Sequence, residues 1–159
     1  MSFMTYSTAL TLWLTIQERF HKTAKSMPEQ DLHLSMNTVS IGYMLRHSAE
    51  VEYMFAEWFF GKSIPADIEL LTKHGPAGTK VVFTNLQELA DFMTASNQHL
   101  IDAMRDLPEE AWHKPVETPL GSSTPLEALG RLMYHTGIHA GQISQMQKSF
   151  HTKEKELTH

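Results

Sequence analysis

With 159 residues the chain has the length of one domain, enough to bury a core and too little for two. Its 42% hydrophobic and 19% charged residues suit a globular protein, and a formal net charge of −5 argues against nucleic acid or an anionic membrane as the main partner. The absence of cysteine excludes disulfides, thiolate nucleophiles and cysteine metal sites, and fits a cytoplasmic location. No stretch is long and apolar enough to span a bilayer, and neither a membrane partner nor a signal peptide is expected.

Four stretches carry helical periodicity. Tyr6, Leu10, Trp13, Ile16 and Phe20 recur at spacings of three or four and predict a first helix with one apolar face. A second is predicted from about residue 38 to 60, with Ile41, Met44, Leu45, Val51, Met54, Phe55, Trp58 and Phe59 as its apolar positions and Gly61 as its stop. The third, from about 84 to 105, presents Leu86, Leu89, Met93, Leu100, Ile101 and Met104 and ends before Leu107-Pro108. Thr124-Pro125-Leu126-Glu127 forms a capping box with proline at the first helical position, so a fourth helix is predicted from there to about Phe150.

The last nine residues, His151 to His159, are polar and expected to fray. Two long links join the helices. Residues 62–83 contain His74-Gly75-Pro76 and a short extended piece from Lys80 to Phe83, and residues 107–123 hold Pro108, Pro115, Pro119 and Gly121. No helix pair could bury its apolar stripe alone, so the expectation is an all-α, antiparallel four-helix bundle with long connections. Residues 1–150 form its single domain and 151–159 a C-terminal tail.

The two halves resemble each other. Ile41-Gly42-Tyr43-Met44-Leu45-Arg46-His47 aligns with Leu129-Gly130-Arg131-Leu132-Met133-Tyr134-His135, and Pro28 to His33 aligns with Pro108 to His113. The gap between the two matches is eight residues longer in the second half. This reads as a duplicated helix pair in which His47 and His135 are equivalent, whereas the counterpart of His139 is Val51.

His135 and His139 are four residues apart on one predicted helix, where side chains are neighbours and both imidazoles reach one ion. Leu132, His135, His139, Gln142 and Met146 trace a core-facing stripe, and His47 shares a face with Met44, Val51, Met54 and Trp58. Three imidazoles on apolar stripes are costly to bury without partners, and a divalent transition metal would satisfy all three. Zn²⁺, Ni²⁺, Fe²⁺ and Mn²⁺ all accept such a donor set, and three protein nitrogens leave positions open for water or substrate. No glutamate follows His135, which disfavours a zinc protease. Tyr43, Glu50, Glu52 and Gln142 are candidates for supporting the ligands. His21, His33, His74, His99, His113, His151 and His159 are read as ordinary link, tail or surface residues.

Met44-Leu45-Arg46-His47 and the run from Tyr134 to Ile143, with its His-x-x-x-His-x-Gly-Gln-Ile ending, resemble the DinB-like (damage-inducible, YfiT-like) metalloprotein superfamily over nearly the whole chain. The resemblance implies a four-helix bundle, often a homodimer, with a metal triad on His47, His135 and His139. Relatives include thiol S-transferases that use a low-molecular-weight thiol such as bacillithiol or mycothiol, and a mycothiol-dependent maleylpyruvate isomerase. A metal-dependent transferase acting on a small molecule is therefore the leading expectation, ahead of a hydrolase. The alternative is a non-catalytic metal- or ligand-binding bundle in which Glu50 or Glu52 fills a fourth position. The family name's link to DNA damage is regulatory and implies no nucleic-acid partner.

Overall fold

In chain order, the computed structural model, which describes residues 4–157, contains α1 (Met4–Ser26), β1 (Ser35–Met36), β2 (Val39–Ser40), α2 (Ile41–Phe60), α3 (Leu86–Asp106), β3 (Val116–Thr118), β4 (Gly121–Ser123) and α4 (Pro125–Leu157). The capping signals act where the sequence puts them. Thr124 Oγ1 accepts from Glu127 N and Glu127 Oε1 accepts from Thr124 N, both at 3.1 Å, closing the capping box ahead of α4. Ser40 Oγ accepts from Tyr43 N at 3.0 Å and Asn85 Oδ1 from Glu88 N at 3.0 Å, so α2 and α3 start two or three residues later than the apolar pattern suggests. Gly61 ends α2 in the left-handed conformation, at φ 71°.

α1 packs on α3 and α4, and α2 packs on the same two helices, so α1 faces α2 across a diagonal. One core cluster joins Ala9 and Trp13 of α1, Phe55 and Phe59 of α2, Leu100 and Met104 of α3, and Ala128 and Leu132 of α4. The other joins Phe20 and Ala24, Ile41 and Met44, Leu89 and Met93, and Ile143 and Met146. Reading each helix from the first cluster to the second gives directions: α1 and α4 run one way, α2 and α3 the other. α2 and α3 are thus parallel neighbours, and the 61–85 link that joins them returns along the length of the bundle.

The duplication is visible as structure. In each half a helix is followed by a 3₁₀ turn behind a proline (Glu29–His33 after Pro28, Glu109–His113 after Pro108), then a two-stranded antiparallel hairpin, then a second helix. A longer hairpin and an extra helical turn ahead of Leu129 account for the longer second gap. Three details differ from expectation. The hairpins lie where only links were foreseen; Asn37 turns the first at φ 58°. Lys80 to Phe83 pair with no strand. α4 runs on to Leu157, because Lys-Glu-Lys-Glu-Leu are strong helix formers even when exposed; His159 lies outside the described residues.

Midway along the bundle the core turns polar. Gln17, Glu52 and Ser96, all buried, meet between α1, α2 and α3: Gln17 Nε2 donates to Glu52 Oε2 at 2.7 Å and Ser96 Oγ to Glu52 Oε1 at 2.9 Å. Burial pushes the Glu52 carboxyl up to about 8, against the pull of those two hydrogen bonds. The three histidines lie on the α2–α4 side, and Ser48 and Thr136 of those helices are buried as well.

Candidate metal centre

His47 is the seventh residue of α2, and His135 and His139 lie mid-way along α4, the helix antiparallel to it. The structure brings all three together: each half-buried ring offers a nitrogen, and these nitrogens lie within 4.8 Å of one another. His135 Nε2 and His139 Nε2 are 3.1 Å apart, and the His47 ring stands edge-on to both, with centroids 5.4 and 6.1 Å away. Bonds of roughly 2.0–2.1 Å in tetrahedral geometry need nitrogens about 3.3 Å apart, a spacing that the His135–His139 pair already approaches, with His47 near enough to join them.

The electrostatics favour neutral donors. Burial lowers the His135 imidazole to about 4, helped by its two histidine neighbours, and burial is also the main cause of the lowered values of His47 and His139. A ligand imidazole must be unprotonated, and these are held so at neutral pH.

Two of the supporting residues foreseen from sequence touch the cluster. Gln142 Oε1 lies 2.9 Å from His139 Nδ1 and accepts its proton, and the Tyr43 ring stacks on His47 with centroids 5.7 Å apart. Glu50 acts one step removed. Fully buried, it receives Arg46 Nε on Oε2 at 2.7 Å and both the amide and the hydroxyl of Thr72 on Oε1 at 2.9 Å, and Thr72 Oγ1 in turn lies 3.0 Å from His47 Nδ1. Glu52 points away, into the Gln17–Ser96 cluster. Neither glutamate is free to supply a fourth ligand.

Thr72 sits in the 61–85 link and carried no signal in the sequence. What holds it there is the packing of the link on α2: Arg46 Nη2 donates to Glu69 O at 2.8 Å, Tyr43 Oη to Thr72 O at 3.4 Å, and Gly42 lets the Phe83 backbone lie against the helix. Of the remaining described histidines, His113 pairs with Thr5, His151 with Asp31 and Glu154, and the His99 ring lies tilted against Tyr53. A groove of about 690 Å³ between α1 and α3, with Gln17, His21, Lys22, Lys25 and Asn97 in its lining, lies apart from the cluster.

Fold and site together define an all-α bundle with a convergent three-histidine cluster. The DinB superfamily matches residues 12–143, and the chain belongs to that superfamily. A conserved protein from Enterococcus faecalis has a similar fold, with a TM-score of 0.66 at 18% identity over 89% of this chain and 94% of that one. The mycothiol-dependent maleylpyruvate isomerase superposes with a TM-score of 0.60 at 16% identity; 87% of this chain is covered but 60% of the isomerase. At such identities the likeness is one of fold. No curated protein sequence matches the chain closely enough to count as a relative.

Proposed function

We propose that His47, His135 and His139 hold one divalent transition metal, and that the protein is a metal-dependent transferase whose co-substrate is a low-molecular-weight thiol. The observation that carries this reading is the convergence of three imidazoles held neutral by burial, on facing helices, with no carboxylate grouped with them among the described residues. When bound, the ion would supply Lewis acidity and lower the pKa of a thiol or water beside it. The chain's own part is to keep the three nitrogens unprotonated by burial and to orient His139 through Gln142. With no cysteine in the chain, the thiol must come from outside, and the fold shared with a mycothiol-dependent enzyme supports that choice.

The alternative, a closed non-catalytic site, needs a fourth side-chain ligand, and both candidate glutamates are committed elsewhere. The family habit of dimerisation and a cytoplasmic setting remain part of this proposal; no helix among the described residues is long and apolar enough to cross a membrane. Elemental analysis of untagged protein tests the reading. It expects close to one transition-metal equivalent per chain, lost in His139→Ala, and thiol-dependent consumption of an electrophile by the loaded protein. Absence of metal from the parent even after incubation with Zn²⁺ or Ni²⁺ would sink it.

A further inference from the structure

We infer that Thr72, in the link between α2 and α3, is a positioning residue that fixes the tautomer of His47; its consequence for metal binding rests on the reading above. The argument is one of proton counting. A threonine hydroxyl has one proton to give and can accept in return. Thr72 Oγ1 gives that proton to Glu50 Oε1 at 2.9 Å, an oxygen that also accepts the Thr72 amide, while the other carboxylate oxygen is engaged by Arg46 Nε at 2.7 Å. Towards His47 Nδ1, 3.0 Å away, Thr72 Oγ1 can then act only as acceptor. His47 must carry its proton on Nδ1, and Nε2 is left with the free lone pair.

The arrangement is built, not incidental. Glu50 is fully buried and Thr72 nearly so, and a buried carboxylate beside a guanidinium does not release its hydrogen bonds cheaply. Arg46 is itself pinned on three sides, by Glu50, by Glu69 O at 2.8 Å and by the Phe92 ring 3.5 Å from its guanidinium carbon. The chain Arg46–Glu50–Thr72–His47 thus transmits the position of the link to the α2 ligand. Gln142 performs the matching task for His139 on α4, using a residue three positions along the same helix. The two supports are unlike: one is supplied within a helix, the other by the link that joins the two halves.

The test uses the full-length protein, metal-free and loaded, with Thr72→Val and Thr72→Ser. Valine keeps the shape and the backbone bond to Glu50 but offers His47 no acceptor, whereas serine keeps the hydroxyl. Imidazole ¹⁵N shifts of the metal-free protein read the tautomer directly. We expect His47 to be Nδ1-protonated in the parent and in Thr72→Ser, and to redistribute toward Nε2–H in Thr72→Val. Competition with a chelator for Zn²⁺ should show affinity roughly 10–100-fold lower in Thr72→Val and within a few-fold of the parent in Thr72→Ser. An unchanged tautomer in a folded Thr72→Val protein would overturn the inference. A tautomer shift in Thr72→Val, together with a parent that binds no metal, would uphold Thr72's role and overturn the metal reading instead, so the two fail separately.

Discussion

Gly42 of α2 lies directly beneath the carbonyl of Phe83: a Cβ at Gly42 would overlap that oxygen. The equivalent glycine of the second half, Gly130, is exposed and meets nothing within 4 Å. The duplicated pair should therefore respond oppositely to the same change. Gly42→Ala must lift the link off α2 and is expected to cost about 1–3 kcal/mol. Gly130→Ala should gain roughly 0.5–1 kcal/mol by removing helix-interior glycine. Urea unfolding of the two variants checks the contrast; equal effects would mean that Phe83 does not pack as described.

Glu52 gives a pH signature. Its carboxyl is raised from an ordinary 4.5 to about 8 in the folded protein, so the folded state holds a proton there that the unfolded state has released. That contribution to stability is fully present below pH 4.5 and is lost as pH climbs to about 8. Glu52→Gln keeps a group that can hydrogen-bond Gln17 and Ser96 without ever ionising. The variant should gain steadily on the parent between those two values, and level off above them. A stability difference that does not change with pH would show that Glu52 ionises normally.

Arg46 is expected to matter more for fold than an ion pair on a surface would. Arg46→Ala leaves Glu50 buried with its charge partner gone, at a cost of about 3–5 kcal/mol. Arg46→Ala combined with Glu50→Gln should recover a large share of that loss, because the uncompensated charge goes with it. Chemical denaturation of Arg46→Ala, Glu50→Gln and the double variant decides; additivity of the single changes would argue that the pair is not coupled.

Gln142→Leu removes the acceptor for His139 Nδ1 while preserving bulk on a half-buried stripe. Zinc affinity should fall by about 10–100-fold with little change in melting temperature. An equal drop in stability would assign Gln142 to packing alone.

Much of this was legible in the residues. Helical periodicity placed all four helices, and the Thr124–Glu127 box placed the start of α4, because both are local patterns. The juxtaposition of His47 with His135 and His139 was legible through the repeat, since equivalent positions on α2 and α4 face one another when those helices pack. Thr72 and Arg46 were not. Their roles arise from how a link with no periodicity folds back on α2, through contacts between residues more than twenty positions apart. Glu52 was misplaced for a related reason. It lies five residues after His47, so a rotation around the helix carries it to the α1–α3 side, and only packing tells which carboxylate of Glu50 and Glu52 turns toward the link.

The histidines of α4 and the histidine of α2 bracket the whole of α3 and both of its links. Whatever grips all three rings closes that stretch of chain into a loop held by its ends, as a buckle closes a strap. In the unfolded chain such a loop would have to be drawn together at considerable entropic cost; in the folded bundle its ends already meet. A ligand at this place therefore binds the folded form far better than the unfolded one, and its presence should register as greater resistance to heat even where no chemistry is being measured.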